Sequence, residues 1–341
     1  MMCFRDKPLP FETAQTTRLL RANGLSRSIL TYLSKTLFLF FFFFSSYSFA
    51  DQLIIEPDAG RAPLLNAIKN TKSSVDLVMY GFTDKKFMTA LIHAKNQGKK
   101  IAVLLEPTPY QSENENNRII HQLRAENINL QWPDKTFQLI HQKTFILDNT
   151  TAIVMTFNLT HGSFTHERNF ALILTNPDEV REIKQVFDAD YLHKKISVSN
   201  ANLVWSPDNS REKILQFIQS AHSNIHIYAQ DITDYQIIGA LAKAARAGKD
   251  VKILLSVSPE KLQSGKFSFL KKAGVIIHNS DHYYIHAKVM IVDHQRALSG
   301  SINFTKPSID DNRELSVITK DREVVKQLDD TFDNDFMGKV R

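Results

Sequence analysis

From residue 51 onward, the hydrophobic and polar positions fall into a series of blocks that occurs twice. The pattern predicts a short amphipathic helix over 62–69 and an apolar strand over 75–80. A helix N-capped at Thr83-Asp84 and closed at Gly98 follows, then a Val/Ile/Leu strand over 101–105. The same order returns as a helix over 211–220, a strand over 225–228, a helix from Thr233-Asp234 to Gly248, and a strand over 251–255. Individual residues repeat too. Pro57, Asp58 and Arg61 recur as Pro207, Asp208 and Arg211, and Ala90, Leu91 and Ala94 recur as Ala240, Leu241 and Ala244. Near the two ends the offset shortens by five residues: Phe187, Asp188 and Asp190 answer Phe332, Asp333 and Asp335, on a final helix behind an apolar strand. Loops must absorb that difference.

Strands alternating with helices point to an α/β fold with an α/β/α sandwich in each half. The period is too long for a solenoid, so the chain reads as a duplicated fold. The polar stretch 195–202 lacks either period and sets the halves at 51–197 and 198–341. A duplicated pair is expected to pack about a pseudo-two-fold, with one shared site in the cleft between the halves.

Residues 1–50 have a different character. The run LFLFFFFF at 37–44 is too short to span a bilayer comfortably, and basic residues precede it. Ser48 and Ala50 occupy the small-residue places of a signal-peptidase site. We read 1–50 as a signal peptide and expect a periplasmic or secreted protein beginning at Asp51; the alternative is an anchor that stays in the membrane. Cys3, the single cysteine among 341 residues, leaves with that segment, which excludes thiol nucleophiles, disulfides and cysteine-based zinc sites.

Charge is thereby reapportioned. The whole chain has 42 Lys+Arg against 36 Asp+Glu, formally +6, which suggests an anionic partner. Six of the basic and two of the acidic residues lie in 1–50, which leaves 36 against 34, a net +2. Composition therefore no longer implies a long nucleic-acid track, although a local basic cleft is compatible with it.

The sharpest signal sits inside the repeat. His286-Ala287-Lys288, Asp293 and Gly300-Ser301-Ile302-Asn303 form one set; His141-Gln142-Lys143, Asp148 and Met155-Thr156-Phe157-Asn158 form the other, 145 positions earlier. A single H-x-K-x4-D is weak, but two at equivalent places with Asn at the same distance make coincidence negligible. Apolar residues after each Lys predict a strand, and Asp148-Asn149 and Asp293-His294 predict hairpin turns. On a strand, His141 and Lys143 share a face, as do His286 and Lys288. Histidine supplies a nucleophile or general acid, lysine a fixed positive charge, and Asn158 and Asn303 further donors. Two facing sets suit a phosphodiester, whose transition state spreads charge over its oxygens. Asp148 and Asp293 read as hairpin-closing residues.

On these residues the chain resembles the phospholipase D superfamily, defined by the duplicated HKD motif, and the resemblance covers essentially all of 51–341. It implies phosphodiester chemistry without metal or other cofactor, through a phosphohistidine: one His attacks phosphorus and the other protonates the leaving alcohol. The stretch GSINFT is most similar to compact bacterial members that include periplasmic endonucleases and cardiolipin-cleaving enzymes. Phospholipid head-group hydrolysis at a membrane surface by a monomer is the leading expectation. Nuclease action is the close alternative, and a catalytically weak lipid- or nucleic-acid-binding homologue the third.

The family also places a carboxylate downstream that orients each catalytic His. Glu314 lies 28 residues after His286, whereas Asn169 stands at that distance from His141. A carboxylate favours the protonated ring of a general acid, and an amide leaves a neutral nucleophile. That reasoning assigns His141 as nucleophile and His286 as acid, with Glu167, two residues before Asn169, as a complication. Met155 replaces the family's Gly, with the expectation of a narrowed first half; Thr156 replaces Ser but keeps the hydroxyl. His278, His282 and His286 recur every fourth residue on what reads as strand, so no metal is expected there. Arg61 and Arg211 read as solvated helix faces.

Overall fold

The computed structural model describes residues 51–338 apart from Gln111 and Glu113. The expected leader and its cleavage site lie outside the described residues. The first half runs β1 (Gln52–Glu56), α1 (Ala62–Asn70), β2 (Ser74–Met79), α2 (Lys85–Asn96), β3 (Lys100–Leu105), α3 (Asn117–Ala125), β4 (Asn129–Gln131), β5 (Thr144–Leu147), β6 (Thr151–Met155), β7 (Glu167–Leu174) and α4 (Pro177–Tyr191). The second runs β8 (Leu203–Ser206), α5 (Ser210–Gln219), β9 (Asn224–Ala229), α6 (Tyr235–Arg246), β10 (Asp250–Leu255), α7 (Pro259–Leu262), α8 (Gly265–Lys272) and β11 (Ile276–Asn279). It continues through β12 (Tyr284–Ile285), β13 (Lys288–Val292), β14 (Arg296–Gly300), α9 (Lys306–Asp310), β15 (Glu314–Thr319) and α10 (Arg322–Phe336).

The strand orders match one for one: β1-β7-β6-β5-β2-β3-β4 in one sheet and β8-β15-β14-β13-β9-β10-β11 in the other. Local chemistry explains the shared elements. Asp84 and Asp234 accept from the first amides of α2 and α6, as N-caps should. Gly98 and Gly248 follow those helices at φ +86° and +85°, a conformation only glycine adopts freely. Asp148-Asn149 and Asp293-His294 all have φ between 53° and 57°, which closes the two expected hairpins as type I′ turns.

Three cores hold the layers. One lies under α1, α2 and α3, and another under α5, α6 and α8. The third is shared: α4 and α10 bury Val180, Ile183, Phe187, Val324, Leu328 and Phe332 among residues of both sheets. Polar links cross the same layer, as Trp205 Nε1 donates to Glu182 Oε1 at 3.0 Å.

The halves also join at the strands that matter for chemistry. The segment before each H-x-K pairs with the start of the last strand of the other half. Ile140 bridges Arg313, and His141 N donates to Arg313 O at 3.0 Å. Reciprocally, Tyr284 and Ile285 pair with Glu167 and Arg168, and Ala287 N donates to Arg168 O at 3.1 Å.

Candidate active site

This exchange of segments brings both motifs to one place. Nδ1 of His141 donates to Glu314 Oε2 at 2.8 Å, and Nδ1 of His286 donates to Asn169 Oδ1 at 3.1 Å. Each histidine is therefore oriented by the opposite half. The sequence expectation had Glu314 serving His286 and Asn169 serving His141, and that pairing is corrected. Equal sequence distance misled because β7 and β15 meet the facing motif across the pseudo-two-fold, not their own.

The orienting groups form mirror pairs. Asn312 Nδ2 donates to Glu314 Oε1 at 3.2 Å, and Asn169 Nδ2 donates to Glu167 Oε2 at 3.0 Å. Both halves thus hold an amide and a carboxylate two residues apart, in opposite order. His141 meets the carboxylate directly; His286 meets the amide, with Glu167 one step back at 3.8 Å.

Lys143 and Lys288 are fully buried. Lys143 Nζ donates to the carbonyl of His141 at 2.6 Å and lies 5.0 Å from the centre of the Tyr80 ring. Lys288 Nζ donates to His286 O at 2.5 Å and Thr156 O at 3.1 Å, and stands 3.4 and 3.5 Å from the two ring nitrogens of His286. Burial, then repulsion from Lys288, holds Lys143 well below the usual lysine value; burial brings Lys288 down to about 7. Burial likewise lowers His141 to about 4 against the pull of Glu314, and burial holds His286 well below the usual histidine value, with Lys288, Lys143 and His141 all adding to the effect. These mutual influences mark a single cluster.

The remaining candidates fall into place around it. Thr156 Oγ1 donates to Asn169 Oδ1 at 2.9 Å, while Ser301 Oγ donates to Leu315 O at 3.3 Å. Asn303 lines a cavity of about 380 Å³ with His141, Tyr80, Tyr110 and Leu139, and its Oδ1 is buried without a hydrogen-bond partner. Asn158 Oδ1 instead accepts from Gly81 N at 3.2 Å. Asp148 accepts from the amides of Lys72, Ser73 and Ser74, and Asp293 from those of His222, Ser223 and Asn224. Those bonds outweigh the effect of burial, holding Asp148 at about 2 and Asp293 lower still. Both aspartates are fastened to the strand starts of β2 and β9, away from the histidines.

The expected narrowing by Met155 is also corrected. Met155 is fully buried in the core beneath α1, α2 and α3. Its counterpart must be glycine for another reason: a Cβ at Gly300 would stand 2.3 Å from the Leu315 carbonyl oxygen. The tight approach of β14 to β15, not room for a ligand, requires it. Arg61 and Arg211 are likewise not solvated faces, since they pair with Asp84, and with Asp234 and Asp310.

Two regions of the chain, 64–191 and 214–336, match the family described as cardiolipin synthase, PLD-like domain. The chain belongs to this phospholipase D-like family. The expected kinship and the duplicated fold are borne out. Among curated relatives, the mitochondrial cardiolipin hydrolase of Mus musculus is 27% identical over 127 residues, covering 37% of this chain and 58% of that protein. The phospholipase D of Rickettsia typhi is 28% identical over 184 residues, covering 53% of this chain and 85% of that one. The fold of phosphatidylserine synthase from Haemophilus influenzae superposes with a TM-score of 0.64 at 10% identity, covering 86% of this chain and 87% of that one.

What sequence reasoning missed in this phospholipase D-like chain is the pair of clamps behind the orienting residues. Arg313, next to Glu314, grips both oxygens of Asp190 at 2.8 and 2.9 Å and also meets Asp208. Arg168, next to Asn169, grips Asp335 at 2.8 and 3.1 Å and meets Asp58 at 2.9 Å. Each guanidinium ties the two halves together at the root of an orienting residue. The signal was available: Arg168 and Arg313 share the 145-residue offset of the motifs, and all four aspartates belong to the repeat.

Proposed function

We propose that this protein is a phosphodiesterase of phospholipase D type, acting on the head-group phosphodiester of phospholipids through a phosphohistidine on His141. The observation that carries the reading is the crossed pairing, which occupies Nδ1 of both rings and leaves each Nε2 as the reactive nitrogen. His141 Nε2 attacks phosphorus, the P–O bond to the head-group alcohol breaks, and His286 gives its proton to the departing oxygen. Water then attacks phosphorus, His286 takes its proton, and the P–N bond to His141 breaks. Lys143, Lys288 and Asn303 stabilise the charge on the phosphoryl oxygens.

The assignment of His141 stands on different grounds from the sequence argument. A phosphorylated imidazole bonded through Nε2 and protonated at Nδ1 keeps a positive ring for the life of the intermediate. Glu314 opposes that charge directly. A general acid must give its charge up, which an amide partner such as Asn169 permits. A bound phosphodiester anion raises the proton affinity of His286 and so loads the acid when substrate arrives.

Lipid is favoured by the rim. Tyr110, 71% exposed, stands with Tyr80, Leu139 and Pro307 at the mouth by His141, and Tyr284 is exposed on the side of His286. Such an aromatic and apolar border suits a membrane interface. Export of residues from Asp51 onward as a monomer, after cleavage near Ala50, belongs to the same proposal. The test is incubation of the purified protein, in EDTA, with a phospholipid panel and with single- and double-stranded nucleic acid. Head-group release without cutting of nucleic acid is expected. Cutting of nucleic acid without head-group release would replace this reading with a nuclease, and no turnover of either would leave a binding homologue.

A further inference from the structure

We propose that the second half holds a divalent transition-metal ion, of the zinc class, at His226, His294 and Asp329, a site separate from the phosphodiester cleft. His226 lies on β9, His294 in the turn between β13 and β14, and Asp329 on α10. One ligand atom from each falls within 4.8 Å of the other two. His226 Nδ1 lies 3.1 Å from Asp329 Oδ1, and His294 Nδ1 meets the other oxygen, Oδ2. Two imidazoles and a carboxylate converging at such spacing form an N/O donor set suited to a tetrahedral ion, with water in the fourth place.

The surroundings supply a second, independent observation. His226 is 3% exposed, and its Nε2 is buried with no hydrogen-bond partner. Behind that nitrogen, Asp250 Oδ2 stands at 3.8 Å. A histidine bound to metal through one ring nitrogen commonly presents the other to a carboxylate, which fixes its tautomer. The ring is also held in place by stacking on Phe332, with centroids 4.7 Å apart and 13° between planes. His294 is half exposed, so an ion has a route in from solvent.

The first half is a built-in control. Asp76, Asn149 and Lys184 occupy the equivalent places in the repeat. There Lys184 Nζ faces Asp76 Oδ2 at 3.6 Å, so a cation of the chain itself fills the position and no donor set remains. In both halves the last helix makes a polar contact with the same strand of its sheet, Lys184 with Asp76 on β2 in one and Asp329 with His226 on β9 in the other. One half makes it with a lysine, and the other has replaced the lysine with a donor set. The site is separate from the cleft: His226 pairs with Ile291, three residues of extended strand from Lys288, roughly 10 Å at the usual rise.

The test uses the full chain in detergent, stripped with EDTA and titrated with Zn²⁺ or Co²⁺ by calorimetry and, for Co²⁺, by its ligand-field absorption. One equivalent should bind with a low-coordinate Co²⁺ spectrum, and thermal unfolding should move upward. His294→Asn, which copies the residue the first half tolerates in the same left-handed turn, should weaken binding roughly tenfold or more. Asp329→Asn should do the same, while His286→Asn in the cleft should leave binding unchanged. Absence of stoichiometric binding, or binding that survives His294→Asn and Asp329→Asn, would overturn the proposal. The cluster would then be a carboxylate accepting from two imidazoles. Loss of binding in His286→Asn would move the ion to the cleft and overturn it equally.

Discussion

Replacing Glu314 with Gln isolates the electrostatic role assigned to that carboxylate. Glu314 is fully buried and sits 2.8 Å from His141 Nδ1, so the substitution keeps shape and an acceptor while removing a charge. Two opposite unit charges with centres about 4 Å apart attract by about 4 kcal/mol at an effective dielectric near 20. A neutral hydrogen bond of about 1 kcal/mol remains after the change. The positive phosphoimidazole should therefore lose about 2–4 kcal/mol, a fall of roughly 30- to 1,000-fold in the rate of attack. His141 is already neutral above about pH 4, so the loss is not one of nucleophile availability. Despite burial, His141 and Lys143 hold Glu314 below the usual carboxylate value, so its charge stabilises the fold and the melting temperature should fall as well. The assay is pre-steady-state hydrolysis of two phosphodiesters, one with a nitrophenolate and one with an alkoxide leaving group. If Glu314 serves the nucleophile, both substrates slow alike, whereas His286→Asn spares the nitrophenyl ester because that group departs without a proton. A Glu314→Gln enzyme impaired only on the alkyl ester would refute the assignment.

Other outcomes follow from the same geometry. Met155→Gly should cost about 3 kcal/mol or more of stability, by analogy with large-to-small core changes, and should not raise kcat/KM; faster turnover of bulky substrates would restore the idea of a narrowed site. Arg313→Lys breaks a bidentate buried pair worth about 3–5 kcal/mol when one partner is lost, so the melting temperature should fall by several degrees. The same change should lower kcat for alkyl and nitrophenyl esters alike, because it disturbs Glu314; unchanged kcat in a destabilised protein would limit the clamp to folding. In the free protein Lys288 gives up its proton as pH rises through about 7, and His141 gains one as pH falls through about 4. The kcat/KM profile should therefore fall on both sides of that window, and a profile flat to pH 9 would contradict the role given to Lys288.

Much of this was legible in the amino-acid order. Strand and helix periods, the capping Asp84 and Asp234, and the left-handed hairpin turns are local properties, so residue type was enough to place them. The motif residues themselves were legible because duplication supplied an internal comparison. What stayed hidden depends on contacts between the halves. No spacing along one chain states that β15 aligns beside the motif of the other half, so Glu314 was joined to the wrong histidine. Met155 misled for a similar reason: the glycine it replaces answers to a neighbouring strand at residue 315, which the motif does not contain. The buried clamps of Arg168 and Arg313 sat inside the repeat but looked like ordinary charged residues, since burial cannot be read from an isolated arginine.

The central claim is that His141 carries the phosphoryl group in a site built from both halves. It is tested most directly by acid- and alkali-controlled quenching of a phosphodiester reaction, followed by peptide mapping of phosphohistidine by mass spectrometry. The wild type should show phosphate on His141, His286→Asn should accumulate it there, and His141→Asn should show none. Phosphate on His286, or an adduct that persists in His141→Asn, would contradict the account.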